Sequence, residues 1–165
     1  MNMLLSNLIE SLREELTEYG EMLARLDHQQ NLVMRRQSDE LSRSVADINA
    51  QAESIAAARC ERERHQFLIA RELHLPETAG YGEIVPLLPA DYRPLVQALV
   101  QENNELLIRV RQRARQNHLL LSHAVEHMQR LINVIFPGAG PKTYDGSGQV
   151  PGSGLPQHSL YEAVG

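Results

Sequence analysis

The chain is poor in the residues that staple or anchor small proteins. Its 165 residues include one cysteine, Cys60, no tryptophan and only 4% aromatic residues. A single thiol closes no internal disulfide and builds no cysteine-based zinc site, so a disulfide-held secreted scaffold is excluded and a reducing cytoplasm suits the chain. No apolar run approaches the roughly 18 residues of a membrane span. The opening MNMLLSNLIESLREEL has no basic segment and meets an acid at Glu10, so it reads as neither an export signal nor an anchor. Basic residues are also in the minority: 21 acids against 16 bases give a formal net charge of −5, which opposes adsorption to phosphate backbones and anionic lipid. Neither nucleic acid nor stable membrane insertion is therefore expected.

Glycine and proline are scarce where a helix needs them to be. Residues 1–75 hold one glycine and no proline, whereas residues 137–165 hold 7 of the 10 glycines and 4 of the 8 prolines. This divides the chain into a helix-permissive body, 1–136, and a Gly/Pro-rich tail, 137–165, too poor in apolar residues to fold alone.

Within the body, apolar residues recur in steps of three and four. Leu5, Leu8, Leu12, Leu16, Tyr19, Leu23, Leu26 and Val33 draw a stripe down a helix over about 3–36. Ser38 and Asp39 are good N-cap residues and mark a second helix, about 39–74, folding back on the first. Its stripe runs Leu41, Val45, Ile48, Ala52, Ile55, then turns polar at Arg59, Arg62 and Gln66 before Ile69 and Leu73. Either that part of the seam is exposed, or the arginine stems lie along it with their heads in water. Pro76, Gly80, Gly82, Pro86 and Pro89 make 75–91 an irregular connection, with room for a helical turn at Glu83–Leu88. Asp91 then reads as an N-cap with Pro94 in the first turn, opening a third long helix over 92–136. Its seam is Val96, Leu99, Asn103, Leu106, Val110, Arg113, Asn117, Leu120, Ala124, His127 and Leu131. A helix of that length, on the order of 65 Å, needs long partners. The expected fold is all-α: an elongated antiparallel bundle of three to four long helices with coiled-coil-like packing and a flexible C-terminal tail.

Four places in the sequence could carry chemistry. His123-Ala124-Val125-Glu126-His127 matches the H-x-x-E-H zinc-protease motif, but only Asp145 and Glu162 follow it as acids, and two ordinary helix histidines are the simpler reading. Paired Glu-x-x-His motifs for a di-iron centre are absent. Cys60 lies among Arg59, Arg62 and Arg64 without a suitably spaced histidine. Arg109, Arg111, Arg113 and Arg115 alternate around their helix, with no interleaved aromatics for base stacking. They could meet Glu10, Glu14, Glu18 and Glu21 across an antiparallel interface, although two solvated faces are the plainer reading. No enzyme, cofactor or metal site is expected. Asn103 is expected to fix helix register, as a buried asparagine does in paired helices. In the tail, Leu160, Tyr161 and Val164 are candidate anchors for a partner.

Taken together, the segments resemble the FlgN-type flagellar type III export chaperones. The resemblance rests on the Leu4-Leu5-x-x-Leu8 opening, the acid and tyrosine at Glu15 and Tyr19, Gln29-Gln30, the break at Ser38-Asp39 and the Arg-rich second helix. Its more specific part is Gln116-Asn117-x-x-Leu120-Leu121, Met128-Gln129-Arg130-Leu131-Ile132 and Thr143-Tyr144-Asp145-Gly146-Ser147-Gly148. The long run after Gly148 departs from the pattern. The resemblance implies an ATP-independent cytoplasmic chaperone that binds the hook–filament junction proteins FlgK and FlgL, prevents their premature assembly and delivers them to the export gate. It points to Leu120, Val125, Met128, Leu131, Ile132 and Ile135 for client binding and to Tyr144 for contact with the gate. The alternative is a non-catalytic coiled-coil adaptor or oligomeric scaffold; a homodimer is left open.

Overall fold

A computed structural model describes residues 1–135. Three long helices dominate it: α1 (Asn2–Arg35), α2 (Ser38–Glu72) and α4 (Arg93–Ile135), with a short α3 (Tyr81–Ile84) and a 3-10 turn (Val85–Leu87) between the last two. The all-α expectation holds, and the helix bounds lie within two residues of those expected.

The first reversal needs neither glycine nor proline. Arg36 adopts a left-handed conformation, φ 57° and ψ 36°. Its amide donates to Val33 and that of Gln37 to Leu32, closing a Schellman motif. The same device ends α2 at His74, φ 57°, where Leu75 donates to the Ala70 carbonyl. The expected cap shifts by one residue: Gln37 is the N-cap of α2 and makes no side-chain cap bond, while Asp39 and Glu40 sit in the first turn, where acids suit the helix dipole. Likewise α4 begins at Arg93, after Asp91, with Val96 donating to the Tyr92 carbonyl.

α1 lies against both α2 and α4. Glu15 meets Arg62 while Arg25 meets Gln51, so α1 and α2 are antiparallel. Only the expected antiparallel meeting of the α1 acids with the α4 arginines is corrected. Asn103 reaches Leu12 and Asn117 reaches Leu26, both 91 residues apart, so α4 runs parallel to α1. The cause is topological: three helices joined end to end run up, down and up, which leaves only consecutive ones antiparallel.

Two apolar clusters hold these helices. Near the start of α1, Leu5, Leu8, Ile9 and Leu12 pack with Ile69, Ala70, Val96 and Leu99, and the connection adds Ala79, Ile84 and Leu88. Further along, Tyr19, Met22 and Leu26 pack with Ile48, Ala52, Ile55, Val110 and Ala114. Met22 and Ile9 flank the stripe read from sequence. They are buried because α1 meets a helix on each side, which widens its apolar face beyond a single seam.

A candidate helix-docking surface at the end of α4

Between the two clusters lies a charged layer. Glu15, 3% exposed, faces the polar stretch of α2. Its Oε2 accepts from Arg62 Nε at 2.9 Å and its Oε1 from the Tyr19 hydroxyl at 2.9 Å, while Arg59 Nη2 donates to that hydroxyl at 2.9 Å. Gln66 accepts from Arg62 and donates to the Ala79 carbonyl, tying the layer to the connection. Both readings of Arg59–Gln66 from sequence are therefore corrected: the guanidinium of Arg62 turns inward, toward a buried carboxylate. Burial raises the Tyr19 phenol above its ordinary pKa, opposed by the Arg59 hydrogen bond. Burial also pushes Tyr81, which lines the same groove, up to about 12, with the neighbouring Arg62 charge acting in the opposite sense. That groove encloses about 420 Å³ among α1, α2, α4 and the connection. In its wall Glu15 pairs with Arg59 and Arg62, and this pairing makes the layer a structural lock.

The asparagines have the role expected of Asn103. Asn103 Nδ2 donates to the carbonyls of Leu12 and Leu99 at 2.9 and 3.0 Å. Asn117 adds a second lock two heptads on, donating to the Leu26 carbonyl at 2.7 Å and to Gln29 Oε1 at 3.1 Å. A slip of α4 by one turn would strand both amides in the interior. Charge pairing between α1 and α4 is sparse: Glu10, Glu14 and Glu21 are exposed, and Arg113 pairs with Asp27 at 3.1 Å and donates to Gln30.

Beyond Asn117 the character of α4 changes. Asn117 is fully buried, and among the described residues no later side chain is. The register explains this. On that 91-residue offset Arg35, the last residue of α1, lies level with residue 126, so the final nine residues of α4 have no α1 beside them. Yet the seam continues at Leu121, Ala124, Met128, Leu131 and Ile135 in unbroken steps of three and four. Val125, Met128, Leu131 and Ile135 are 55–61% exposed, and Leu120 and Ile132 are 37% exposed. At about 100° per residue, five of the six residues expected to bind a client fall within about 60° of one line through Met128, with Leu120 at its edge. Leu121 and Ala124, which the expected set omitted, complete that line. Monomers rarely leave so continuous an apolar stripe in water unless something docks on it.

The remaining candidates are not assembled into chemistry. His123 Nδ1 lies 3.7 Å from Glu126 on the exposed side of α4, and among the described residues no group of three or more His, Cys, Asp or Glu side chains is placed to hold a metal. Cys60 is exposed. No described helix is long and apolar enough to cross a membrane. Tyr144, Leu160, Tyr161 and Val164, with the whole tail, lie outside the described residues.

Fold and surface together define a helical binding protein, with a locked bundle that presents one uncovered helix end. The FlgN protein family model matches residues 1–152, and the chain belongs to that family of flagellar export chaperones. The match takes in all of the described bundle and the Tyr144 segment and stops short of 153–165. No curated protein and no solved structure matches the chain.

Proposed function

We propose that the chain is a cytoplasmic chaperone for the hook–filament junction proteins FlgK and FlgL, and that it shelters an assembly-prone helix of its client on the exposed end of α4. The observation that carries this reading is the α4 seam, which has no buried side chain after Asn117 among the described residues and runs past the end of α1 while keeping its apolar spacing. An amphipathic helix laid along Leu121, Ala124, Met128, Leu131 and Ile135 would bury the stripe in the helix-in-groove manner. Binding then needs no catalysis, and a modest contact keeps release easy. In the same reading Tyr144 contacts the export gate, and Leu160, Tyr161 and Val164 act as further anchors in the tail.

Co-purification with each junction protein tests this. Met128→Glu and Leu131→Glu, which place a charge on the seam, should each weaken the complex at least about tenfold with the helical circular dichroism unchanged. Deleting 137–165 should leave helical content and melting nearly intact while impairing client binding or delivery. Absence of a complex with either junction protein at any salt concentration overturns the client assignment and favours the adaptor reading.

A further inference from the structure

α1 sits between α2 and α4, which hardly meet each other, and the groove of about 420 Å³ opens in the gap between them. Its charged lining is Arg59, Arg62 and Glu63 from α2, Arg111 from α4 and Glu15 from α1, so cations outnumber anions in a chain whose net charge is −5. Both carboxylates are already engaged, Glu15 by Arg62 and Arg59, and Glu63 by Arg62 at 3.5 Å. Arg59 is committed only in part: a guanidinium carries five N–H donors, and the bond to the Tyr19 hydroxyl takes one of them. Its side chain stays 25% exposed, with Arg111 lining the same groove from the other side. Beside these cations α4 contributes Val100 and Leu107, both partly buried. Two guanidiniums on different helices next to an apolar strip suit a carboxylate that follows apolar residues in a peptide.

We propose that this groove is a carboxylate site whose occupant is the chain's own segment Leu160-Tyr161-Glu162, with Glu162 between Arg59 and Arg111, and Leu160 and Tyr161 beside Val100 and Leu107. Beyond Ile135 the sequence offers two acids, Asp145 and Glu162, each directly after a tyrosine. Reach separates them. Arg111 lies 24 residues before Ile135, about 36 Å back along α4. Asp145 follows Ile135 by ten residues, and ten residues fully extended span at most about 33–36 Å, which leaves nothing for the turn back or for crossing to the groove. Glu162 follows it by 27 residues, and a glycine-rich chain of that length has a root-mean-square span of about 26–31 Å, close to the distance required. A tether of matched length gives its end a high effective concentration at the site. The segment also lies beyond residue 152, where the match to the FlgN family ends, so the contact belongs to this chain in particular. In the free chain the docking holds Leu160 and Tyr161 on the body. That they are thereby withheld from a partner rests on the function proposed above, whereas the docking does not.

The distance between two spin labels on the full chain tests this. Cys60→Ser removes the native thiol, and the labels sit on Ile108→Cys, exposed next to Leu107, and on Ala163→Cys. Labelled chain is diluted with excess unlabelled chain, so that only pairs within one molecule are read. Docking gives a narrow distribution below about 25 Å, and an undocked tail gives a broad one centred beyond about 40 Å. Glu162→Gln and Arg111→Gln should each move at least half of the molecules from the narrow distribution to the broad one, whereas Asp145→Asn should leave it unchanged. Arg111 is exposed and belongs to neither core, and helical circular dichroism checks that both variants keep the bundle. A broad distribution without these substitutions overturns the docking and leaves the client reading standing. A narrow one that survives either Glu162→Gln or Arg111→Gln overturns the carboxylate site, and one abolished by Asp145→Asn overturns Glu162 as its occupant.

Discussion

One helix, α4, behaves as two. Up to Asn117 each turn of its seam meets α1, and its polar seam residues are answered by carbonyls of that helix. From Leu121 onward the same spacing continues with no buried side chain among the described residues, and from residue 127 it has no α1 beside it. Nothing in the local pattern of α4 distinguishes the halves. The difference comes from the neighbour: α1 ends at Arg35 and α2 begins at Ser38, so neither extends beyond that turn, and α4 does. An apolar periodicity thus shows that a helix has a face to cover, and the length of its partners decides whether the chain covers it itself. The body holds two cores and a buried ion network, and the end leaves its seam exposed.

The largest expected difference between the halves lies in stability. Glu15→Gln removes the carboxylate that Arg62 and Arg59 share in the interior, and should lower the unfolding free energy by about 2–4 kcal/mol, since an unpaired buried charge is costly. Met128→Ala, at the exposed end, should change it by less than about 0.5 kcal/mol. Urea denaturation of both variants measures this. Comparable losses would show that the end is part of the cooperative core.

A smaller effect appears at alkaline pH and belongs to the body alone. The folded chain holds the Tyr81 proton up to about 12 against an ordinary 10.0, because burial disfavours the phenolate. Between those values the folded state binds more protons than the unfolded, so stability falls as pH rises through that window and is fully present below it. Tyr81→Phe should remove most of that slope in the urea midpoint, with Tyr19, raised in the same direction, accounting for what remains. A slope unchanged in Tyr81→Phe would place the alkaline loss elsewhere.

Much of this architecture is legible in the sequence, and its gaps have physical causes. Long helices show because steps of three and four persist for seven apolar positions in α1, Leu5 to Leu26, and, with a few polar residues in the seam, for the length of α4. The exposed seam at the end of α4 shows for the same reason. Glu15 was missed as a core residue because an acid beside an apolar stripe reads as solvated. The available signal was in the other helix: Arg59, Arg62 and Gln66 interrupt the α2 stripe, and an inward cation requires a facing anion one antiparallel turn away. The parallel course of α4 relative to α1 depends on counting helices, which periodicity within any one of them does not do.

The smallest effect concerns the turn that ends α1 and so decides where the uncovered seam begins. Arg36 sits at φ 57° and His74 at the same angle, a region that costs an L side chain about 1–2 kcal/mol and glycine almost nothing. Glycine also loses more freedom on folding, by roughly 0.5–1 kcal/mol, so only part of that cost is recoverable. Arg36→Gly should therefore stabilise the body by up to about 1 kcal/mol, seen as a rise of about 3 °C in Tm. Because the Schellman bonds from residues 36 and 37 are made by the backbone, the substitution leaves them in place. Client affinity, which in the proposed function depends on the end of α4, should not move. A loss of stability would mean that the Arg36 side chain contributes more than its backbone costs, and a change in client affinity would mean that the turn and the end of α4 act as one surface.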